Sequence, residues 1–179
     1  MPKILPNLHE EILMAGRDLL GESGYEEFSM RAVAARCGIG VGTLYNYYPS
    51  KQHLVAGILR SEWDIHLRRM AQAAKQDKPE LERLEAVFSE LVAFMGGKHS
   101  VFVAQMPDKI DFDEVRGALA RRAAVRQQII DVVGSILCER PDGERELLSD
   151  AIARLFLSYS ADGGQRPAAI RSILTKLLV

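Results

Sequence analysis

The four histidines are the residues of this chain most able to act as general bases or metal ligands, yet they are scattered along it. They stand at His9, His53, His66 and His99. The sequence contains no H-E-x-x-H motif, no glycine loop that would cradle a phosphate and no nucleophile beside an evident base. Three aspartates, Asp108, Asp111 and Asp113, could suggest a metal, but capping of the helix that follows is the plainer interpretation. The sequence therefore predicts no enzyme activity, no cofactor and no metal site.

Contact with phosphate is a second kind of chemistry, and one segment of the chain suits it. Between Phe28 and Ser61 there is no Asp or Glu, while acids resume at Glu27 and Glu62. The bases of this segment are Arg31, Arg36, Lys51 and Arg60. Over the whole chain 23 Lys and Arg almost balance 24 Asp and Glu, so any attraction to nucleic acid must be local. The segment predicts one phosphate-compatible face on a nearly neutral protein.

A short helix within this segment carries polar groups on one side. With Leu44 directed inward, a turn of about 100° per residue places Val41 and Tyr48 near it and Gly42 and Asn46 opposite. Outward glycine lets backbone approach DNA closely, and asparagine can bond adenine through two hydrogen bonds. The hydroxyl-bearing residues that flank this ridge are Thr43 and Tyr45, with Tyr47 at the border of the buried face. These hydroxyls suit phosphate oxygens.

The start of the next helix favours an anion as well. Ser50 is a good N-cap, and the free backbone N–H groups after it attract negative charge. Lys51 adds a positive charge at the same place. A solvated lysine at an ordinary helix start is the alternative for Lys51 taken alone.

Capping residues and glycines define the helices that must position these groups. Asn7 with Glu10 has the form of a capping box for a first helix, and Gly21 and Gly24 end its apolar pattern. Ser29 caps a second helix of about two turns, which stops at a glycine, Gly38, suited to left-handed backbone. The remaining apolar patterns predict a long fourth helix from Ser50 and helices over Pro79–Met95, His99–Met106, Phe112–Cys138, Gly143–Ala161 and Pro167–Leu178. The fold class predicted is all-α, with about nine helices and no strand.

Two short helices joined by a glycine turn are the parts of a helix-turn-helix, and the residues at the turn are recognisable. From Gly38 to Lys51 the chain reads G-I-G-V-G-T-L-Y-N-Y-Y-P-S-K, with Leu54 following. This stretch closely resembles the DNA-binding motif of the TetR family of regulators. The resemblance spans residues Asn7 to Ile58, about a third of the chain.

The resemblance implies a homodimeric bacterial repressor, or less often an activator, whose three-helix head binds DNA and whose variable helical core binds a small effector. Carried over by position, it assigns DNA contacts to Ser29, Gly42, Thr43, Tyr45, Asn46, Tyr47 and Lys51. Three positions depart from the family pattern or are variable in it. Gly40 stands where serine is frequent, Tyr48 replaces the usual phenylalanine and needs a partner for its hydroxyl, and Asn46 lies at a variable position.

The domain boundaries predicted are 1–53 for the DNA-binding domain and 54–179 for an effector-binding and dimerisation domain, joined through the fourth helix. An effector cavity needs large or adaptable apolar groups. The candidates for its lining are Trp63, Phe88, Met95, Phe102, Met106 and Phe112. The last two helices offer more apolar face than one chain needs, and the family implies a four-helix dimer bundle there. The candidate dimer residues are Leu148, Ile152, Leu155, Phe156, Tyr159, Ile170, Ile173, Leu174 and Leu177.

Composition indicates the cellular compartment that we expect for this protein. The two cysteines, Cys37 and Cys138, lack the spacing of a disulfide framework or a zinc site, which fits a reducing cytosol. Charges interrupt every apolar stretch well before the roughly 20 residues of a membrane span, and no signal peptide opens the chain. We expect a cytoplasmic protein with no membrane partner.

The function predicted is a sequence-specific transcriptional regulator, a repressor released from a palindromic operator by a small molecule. A helical module that uses the same head against a protein partner is the alternative, although small polar residues on the third helix favour DNA. Constitutive binding to the nucleoid without an effector stays open, as do the operator, the effector and the regulated genes.

Overall fold

The computed structural model describes residues 7–96, 112–161 and 167–178, and this part of the chain contains eight helices and no strand. The helices are α1 (Leu8–Glu27), α2 (Met30–Arg36), α3 (Val41–Tyr47), α4 (Lys51–Ala74), α5 (Glu80–Met95), α6 (Phe112–Ile136), α7 (Asp142–Ala161) and α8 (Pro167–Leu177). The all-α prediction is confirmed. The helix predicted over His99–Met106 lies outside the described residues.

Packing divides the chain into two compact units, and the division falls within α4, between Asp64 and Ile65. The first unit contains the described residues up to Asp64, and the second contains those from Ile65 onward. The functional boundary after residue 53 stays a prediction.

The start of α1 differs from the capping box that the sequence suggests. Asn7 has left-handed backbone, with φ 86° and ψ 11°, and its side chain makes no capping hydrogen bond. An N-cap residue normally has extended backbone so that its side chain reaches the N–H groups of the first turn. The predicted box at Asn7 and Glu10 is therefore wrong, because backbone conformation turns the Asn7 side chain away from that role.

The two glycines near the end of α1 have different roles. Gly24 breaks the helix with φ 77° and ψ 175°, a conformation that favours glycine, and the chain then turns toward Phe28. Gly21 lies inside the helix instead of ending it. Since Phe28 is only 2% exposed, the break at Gly24 lets the chain deliver a large aromatic group to the core.

Both ends of α2 form as the sequence predicts. The Ser29 hydroxyl oxygen accepts a hydrogen bond from Ala32 N–H at 3.2 Å. At the other end Gly38 has φ +65°, and its N–H donates to Ala35 O while that of Ile39 donates to Ala34 O. This pair of bonds is a Schellman motif, which satisfies carbonyls that the helix end would otherwise leave open.

The core of the first unit joins α1, α2, α3 and the start of α4. Its fully buried members include Ile12, Leu20, Val33, Ala34, Leu44, Leu54 and Val55. Complete burial of one such large aliphatic side chain is expected to stabilise the fold by about 1.5–3 kcal/mol. α1 and α4 approach closely at Gly16, where an added Cβ would lie 2.8 Å from Ile58 Cδ1.

The second unit packs α5, α6, α7 and α8 with the end of α4. Phe88 of α5 lies against Phe156 of α7, with ring centroids 5.1 Å apart. The other core residues include Met70, Leu84, Leu91, Ile129, Val133, Ile136, Ile152, Ile170 and Leu174. None of the described helices combines the length and the apolar character that a membrane crossing requires.

Two arginines connect the helix ends of the second unit. The guanidinium of Arg83, on α5, donates to Ala74 O at 3.2 Å and to Ile136 O at 3.4 Å, which are the last residues of α4 and α6. Carbonyls at a helix C-terminus carry partial negative charge, so a cation is favoured there.

Arg140, which follows α6, binds the other helix ends. It donates to the carboxylates of Glu144 at 2.7 Å and Glu80 at 3.3 Å, and to Leu178 O at 2.8 Å. The hydrogen bond with Glu144 raises the pKa of Arg140 further, with Glu80 adding to the effect. These contacts fix the starts of α5 and α7 and the end of α8 relative to one another.

Candidate nucleic-acid interface

α3 presents a polar surface beside the start of α4. Five of the predicted DNA-contact residues lie on it, and we call them the α3 surface: Gly42, Thr43, Tyr45, Asn46 and Tyr47. All five are exposed, with Tyr45 at 48% and Tyr47 at 45%. Leu44 is fully buried and Tyr48 is 8% exposed, so the predicted orientation of the helix is correct. Tyr47, placed by the sequence at the border, lies on the exposed side.

Two glycines shape the approach to α3. Gly40 occupies the N-cap with extended backbone and supplies no side-chain cap, as its residue type requires. A Cβ added at Gly42 would meet no atom within 4 Å. Packing against the described residues therefore does not require the absence of a side chain at Gly42, and this absence leaves the backbone open to a close approach from outside.

Ser29 combines a capping role with an exposed hydroxyl group. It is exposed at the start of α2 while its oxygen accepts from Ala32 N–H. A serine hydroxyl accepts and donates at once, so its O–H remains suited to donation toward a phosphate oxygen.

Lys51 lies differently from the solvated lysine that the sequence leaves open. Its Nζ donates to Glu26 O at 3.4 Å and lies 4.3 Å from the centroid of the Tyr25 ring. The residue is half-buried. Contact with an aromatic face stabilises a cation by about 0.5–1 kcal/mol at exposed sites. These two contacts place the ammonium group of Lys51 beside Tyr25 and Glu26 O, next to the first turn of α4.

His53 takes part in the cap of α4, which sequence reasoning missed. The Ser50 oxygen accepts from His53 N–H at 3.3 Å and also lies 2.8 Å from His53 Nδ1. His53 occupies the place, three residues after the cap, where a capping box has Glu or Gln. The spacing Ser50-x-x-His53 is the signal that could have found it.

A carboxylate from outside the acid-free segment approaches one of its bases, Arg36, and a second ion pair joins two residues that flank the segment. Arg36 donates to Glu22 Oε2 at 3.0 Å, and Arg17 donates to Glu62 Oε1 at 3.2 Å. The hydrogen bond with Glu62 raises the pKa of Arg17. Because Glu22 lies on α1, the segment is less basic in space than along the sequence. Arg31 and Arg60 are exposed.

The possible metal ligands and the two thiols of the described residues are arranged as follows. Among the described residues, no three or more His, Cys, Asp or Glu side chains gather in a way that would hold a metal ion. Cys138 is exposed and Cys37 is half-buried, and both are free thiols. Burial raises the pKa of Cys37, which lowers its thiolate fraction at neutral pH.

The predicted effector site stays a prediction, since its residues are divided between the two units and the residues that the structure does not describe. Trp63 belongs to the first unit, Phe88 is buried against Phe156, and Met95 is half-buried. Phe102, Met106 and the side chain of Phe112 lie outside the described residues. A shallow concavity between α6 and α7 is lined by Ile130, Asp131, Gly134, Asp142, Arg145, Glu146 and Ser149, and includes none of the predicted residues.

A polar pair in the second unit was also missed by sequence reasoning. His66 Nδ1, on α4, lies 3.0 Å from Glu90 Oε2, on α5, and the His66 ring meets the edge of Phe94. Only a three-dimensional arrangement joins residues so far apart in sequence, so periodicity gives no signal for it.

The predicted dimer residues divide into two groups. Four of them are buried within the chain itself: Ile152, Phe156, Ile170 and Leu174. The members that remain accessible are Leu148, Leu155, Tyr159 and Ile173, all half-buried, and Leu177, which is 37% exposed. Leu147 is 72% exposed on the same helix as Leu148. A partner would contact the second group, since the first already forms core.

Comparison with known proteins identifies sequences that are related to this chain. A family model described as "Bacterial regulatory proteins, tetR family" matches residues 12–58. The HTH-type transcriptional repressor KstR of Rhodococcus jostii is 38% identical over 88 residues, which are 48% of this chain and 40% of KstR. The chain thus aligns with less than half the length of that relative.

Two further proteins resemble nearly the whole chain. The nucleoid occlusion factor SlmA of Idiomarina loihiensis is 28% identical over 162 residues, covering 88% of this chain and 81% of SlmA. The crystal structure of a transcriptional regulator from Cytophaga hutchinsonii superposes with a TM-score of 0.76 at 14% identity, covering 96% of this chain and 98% of the other. The family match and the likeness to a repressor lead to one conclusion: residues 12–58 of this chain are similar to the DNA-binding region of the TetR family of bacterial regulatory proteins. The superposition extends the likeness in helical fold to nearly the whole chain.

Proposed function

We propose that this protein is a sequence-specific DNA-binding transcriptional regulator of the cytoplasm, a repressor released from a palindromic operator by a small-molecule effector. The observation that carries the proposal is the α3 surface, with its five exposed residues beside the capped first turn of α4. Small, hydroxyl-bearing and amide residues suit the edges of bases and the oxygens of phosphates.

Each contact has a proposed role. Thr43, Tyr45 and Tyr47 donate hydroxyl hydrogen bonds to phosphates, and Asn46 reads a base edge in the major groove. Gly42 admits the DNA backbone or a base closely. Ser29 and Lys51 bind phosphates on either side and so set the register of α3, since phosphate contacts position a protein without reading sequence.

Homodimerisation through the accessible residues of α7 and α8 is part of the proposal. Two recognition helices must meet half-sites about 34–36 Å apart, or a multiple of that spacing, and a fixed pair of heads imposes such a distance. An effector that binds one arrangement of the dimer more tightly would shift the population toward it.

The test begins with duplexes selected by the purified full-length chain from its own genomic DNA. Lys51→Met keeps the aliphatic stem over Tyr25 but removes the charge. We expect it to weaken all duplexes alike and to reduce the salt slope by about one phosphate. Asn46→Ala should lose about 1–3 kcal/mol of discrimination at one base pair. Lys75→Ala, an exposed lysine of the second unit, is the matched control.

Unchanged binding by Lys51→Met, Tyr45→Ala and Asn46→Ala together would contradict the proposal and favour the alternative, a head that binds a protein partner. The likeness to SlmA over most of the chain favours a second candidate, a nucleoid-binding protein without an effector. The low-molecular-mass fraction of a cell extract separates the two candidates: it releases the selected duplex from an effector-controlled repressor and leaves a constitutive binder in place.

A further inference from the structure

Tyr48 stands where α3 ends, and it joins that end to two other helices. It is the C-cap of α3, and its N–H donates to Leu44 O. Its side chain is 8% exposed and belongs to the core of the first unit. Because the ring follows directly after the last residue of the α3 surface, the position of the ring constrains the orientation of that surface.

The hydroxyl of Tyr48 has a specific partner on α1. Tyr48 Oη lies 2.8 Å from His9 Nε2, and the two rings stack with centroids 5.8 Å apart and an angle of 24°. Either the phenol donates to unprotonated Nε2, or Nε2–H donates to the phenol oxygen, so the bond exists in either form of the imidazole. Burial raises the pKa of Tyr48, which keeps the phenol neutral.

α4 forms the other wall of the Tyr48 site. A Cβ added at Gly57 would lie 2.8 Å from Tyr48 Cε1 and 3.1 Å from Tyr48 Oη. The first distance is shorter than real Cβ contacts and the second is tighter than most of them, and the obstacle is a rigid ring. The ring therefore fits between His9 and Gly57 only because residue 57 has no side chain.

A phenylalanine at position 48 would place a ring of the same size in the core. Apolar packing therefore does not explain why this residue carries a hydroxyl group that contacts His9. His9 is itself exposed and is not among the buried residues that form the core. The hydrogen bond between His9 and Tyr48 restricts the orientation of the Tyr48 ring, because hydrogen bonds are directional whereas apolar packing tolerates small rotations.

We propose that His9 is a positioning residue for DNA recognition, which acts through its hydrogen bond to Tyr48 to hold α3 in the orientation that reads bases. The inference rests on the proposed function. It predicts that His9 affects discrimination between sequences although it is not one of the proposed DNA contacts.

The test compares His9→Leu, His9→Gln and Tyr48→Phe in the full-length chain. Each variant is titrated with the duplex selected by the wild type and with a scrambled duplex of the same length and composition. Loss of one neutral hydrogen bond is expected to lower affinity for the selected duplex roughly fivefold in His9→Leu and Tyr48→Phe. Affinity for the scrambled duplex should stay unchanged, and the double variant should lose no more than either single one. His9→Gln, whose amide nitrogen reaches about as far as Nε2, should bind as the wild type does.

A purely structural role gives a different pattern. It would lower affinity for both duplexes by the same factor, through a smaller folded fraction, and this result would overturn the proposal, as would a His9→Gln variant that behaves like His9→Leu. Urea unfolding of each variant measures the folded fraction directly, and Met14→Leu, at an exposed position of the same helix, is the control. A wild type that prefers no duplex would refute the proposed function and with it this role, whereas equal selectivity in wild type and His9→Leu would refute the role of His9 alone.

Discussion

At two glycines of the first unit, backbone conformation and not free space decides whether an added side chain stabilises or destabilises the fold. A Cβ added at Gly21 or at Gly38 meets no atom of residues 7–96, 112–161 and 167–178 within 4 Å. Gly21 lies within α1, whereas Gly38 has φ +65° at the end of α2. Alanine is a better helix former than glycine but is strained in left-handed backbone.

The same substitution should therefore have opposite effects at the two positions. Gly21→Ala is expected to raise the free energy of unfolding by about 0.5–1 kcal/mol. Gly38→Ala is expected to lower it by about 1–2 kcal/mol. Urea denaturation of both variants beside the wild type measures the difference, and equal signs would show that φ at these positions is not what governs stability.

Residue types were easier to predict than the partners they bind. The sequence indicates that Lys51 is suited to phosphate, but not that its ammonium lies against Tyr25 and Glu26 O. Likewise the sequence shows that the Tyr48 hydroxyl needs a partner without showing that His9 supplies it. Contacts over tens of residues depend on how helices pack, and one sequence carries no pattern for them.

At the scale of elements, the most predictable features were those set by local chemistry. The bounds of α2, the inward face of α3 and the ends of the later helices follow from caps, glycines and apolar spacing. Local chemistry gave a wrong result at α1, where Asn7 has left-handed backbone and Gly21 continues the helix. A cap motif describes which side chain is able to bond the first turn, but the entering backbone decides whether it does.

The cap of α2 offers a test of local chemistry. Ser29→Ala removes the acceptor of Ala32 N–H and is expected to cost about 1 kcal/mol of stability, whereas Ser29→Gly should cost only a few tenths. Ser23→Ala is the control, because the Ser23 hydroxyl donates to Leu19 O within its own helix and does not cap a helix start. Thermal unfolding monitored by circular dichroism provides the comparison. A Ser29→Ala variant as stable as Ser23→Ala would show that the cap is dispensable.

For the whole molecule, the apolar faces of the helices could be predicted from residue spacing. The sequence did not show which of these apolar residues lie in the core and which lie at a surface open to a partner. Phe156 and Leu148 both lie on α7, yet Phe156 is fully buried against Phe88 and Leu148 is half-buried. Their residue types alone do not distinguish them. The distinction requires knowing which face of α7 meets α5, and only the folded second unit supplies it.

The proposed homodimer can be tested at the exposed apolar positions. Leu147→Lys and Leu177→Lys place charges on the accessible faces of α7 and α8, where an apolar interface would leave them unpaired. We expect a shift from dimer to monomer in sedimentation velocity, with the helical content unchanged. Met14→Lys, at a comparably exposed apolar residue of α1, should leave the sedimentation coefficient as in the wild type. A dimer that persists in both variants would place the interface elsewhere.

The contacts of Arg83 have a consequence for mutational tolerance. Its guanidinium is bonded to the backbone carbonyls of residues 74 and 136, so the bonds do not depend on which side chains stand there. Substitutions at those two positions that fit the packing should therefore leave the connection between α4, α5 and α6 intact. Position 83 has no such freedom, because one missense change there would leave two helix-terminal carbonyls without their donor. The junction of these three helices is therefore expected to tolerate substitutions at positions 74 and 136 but to be sensitive to a change in the codon for Arg83.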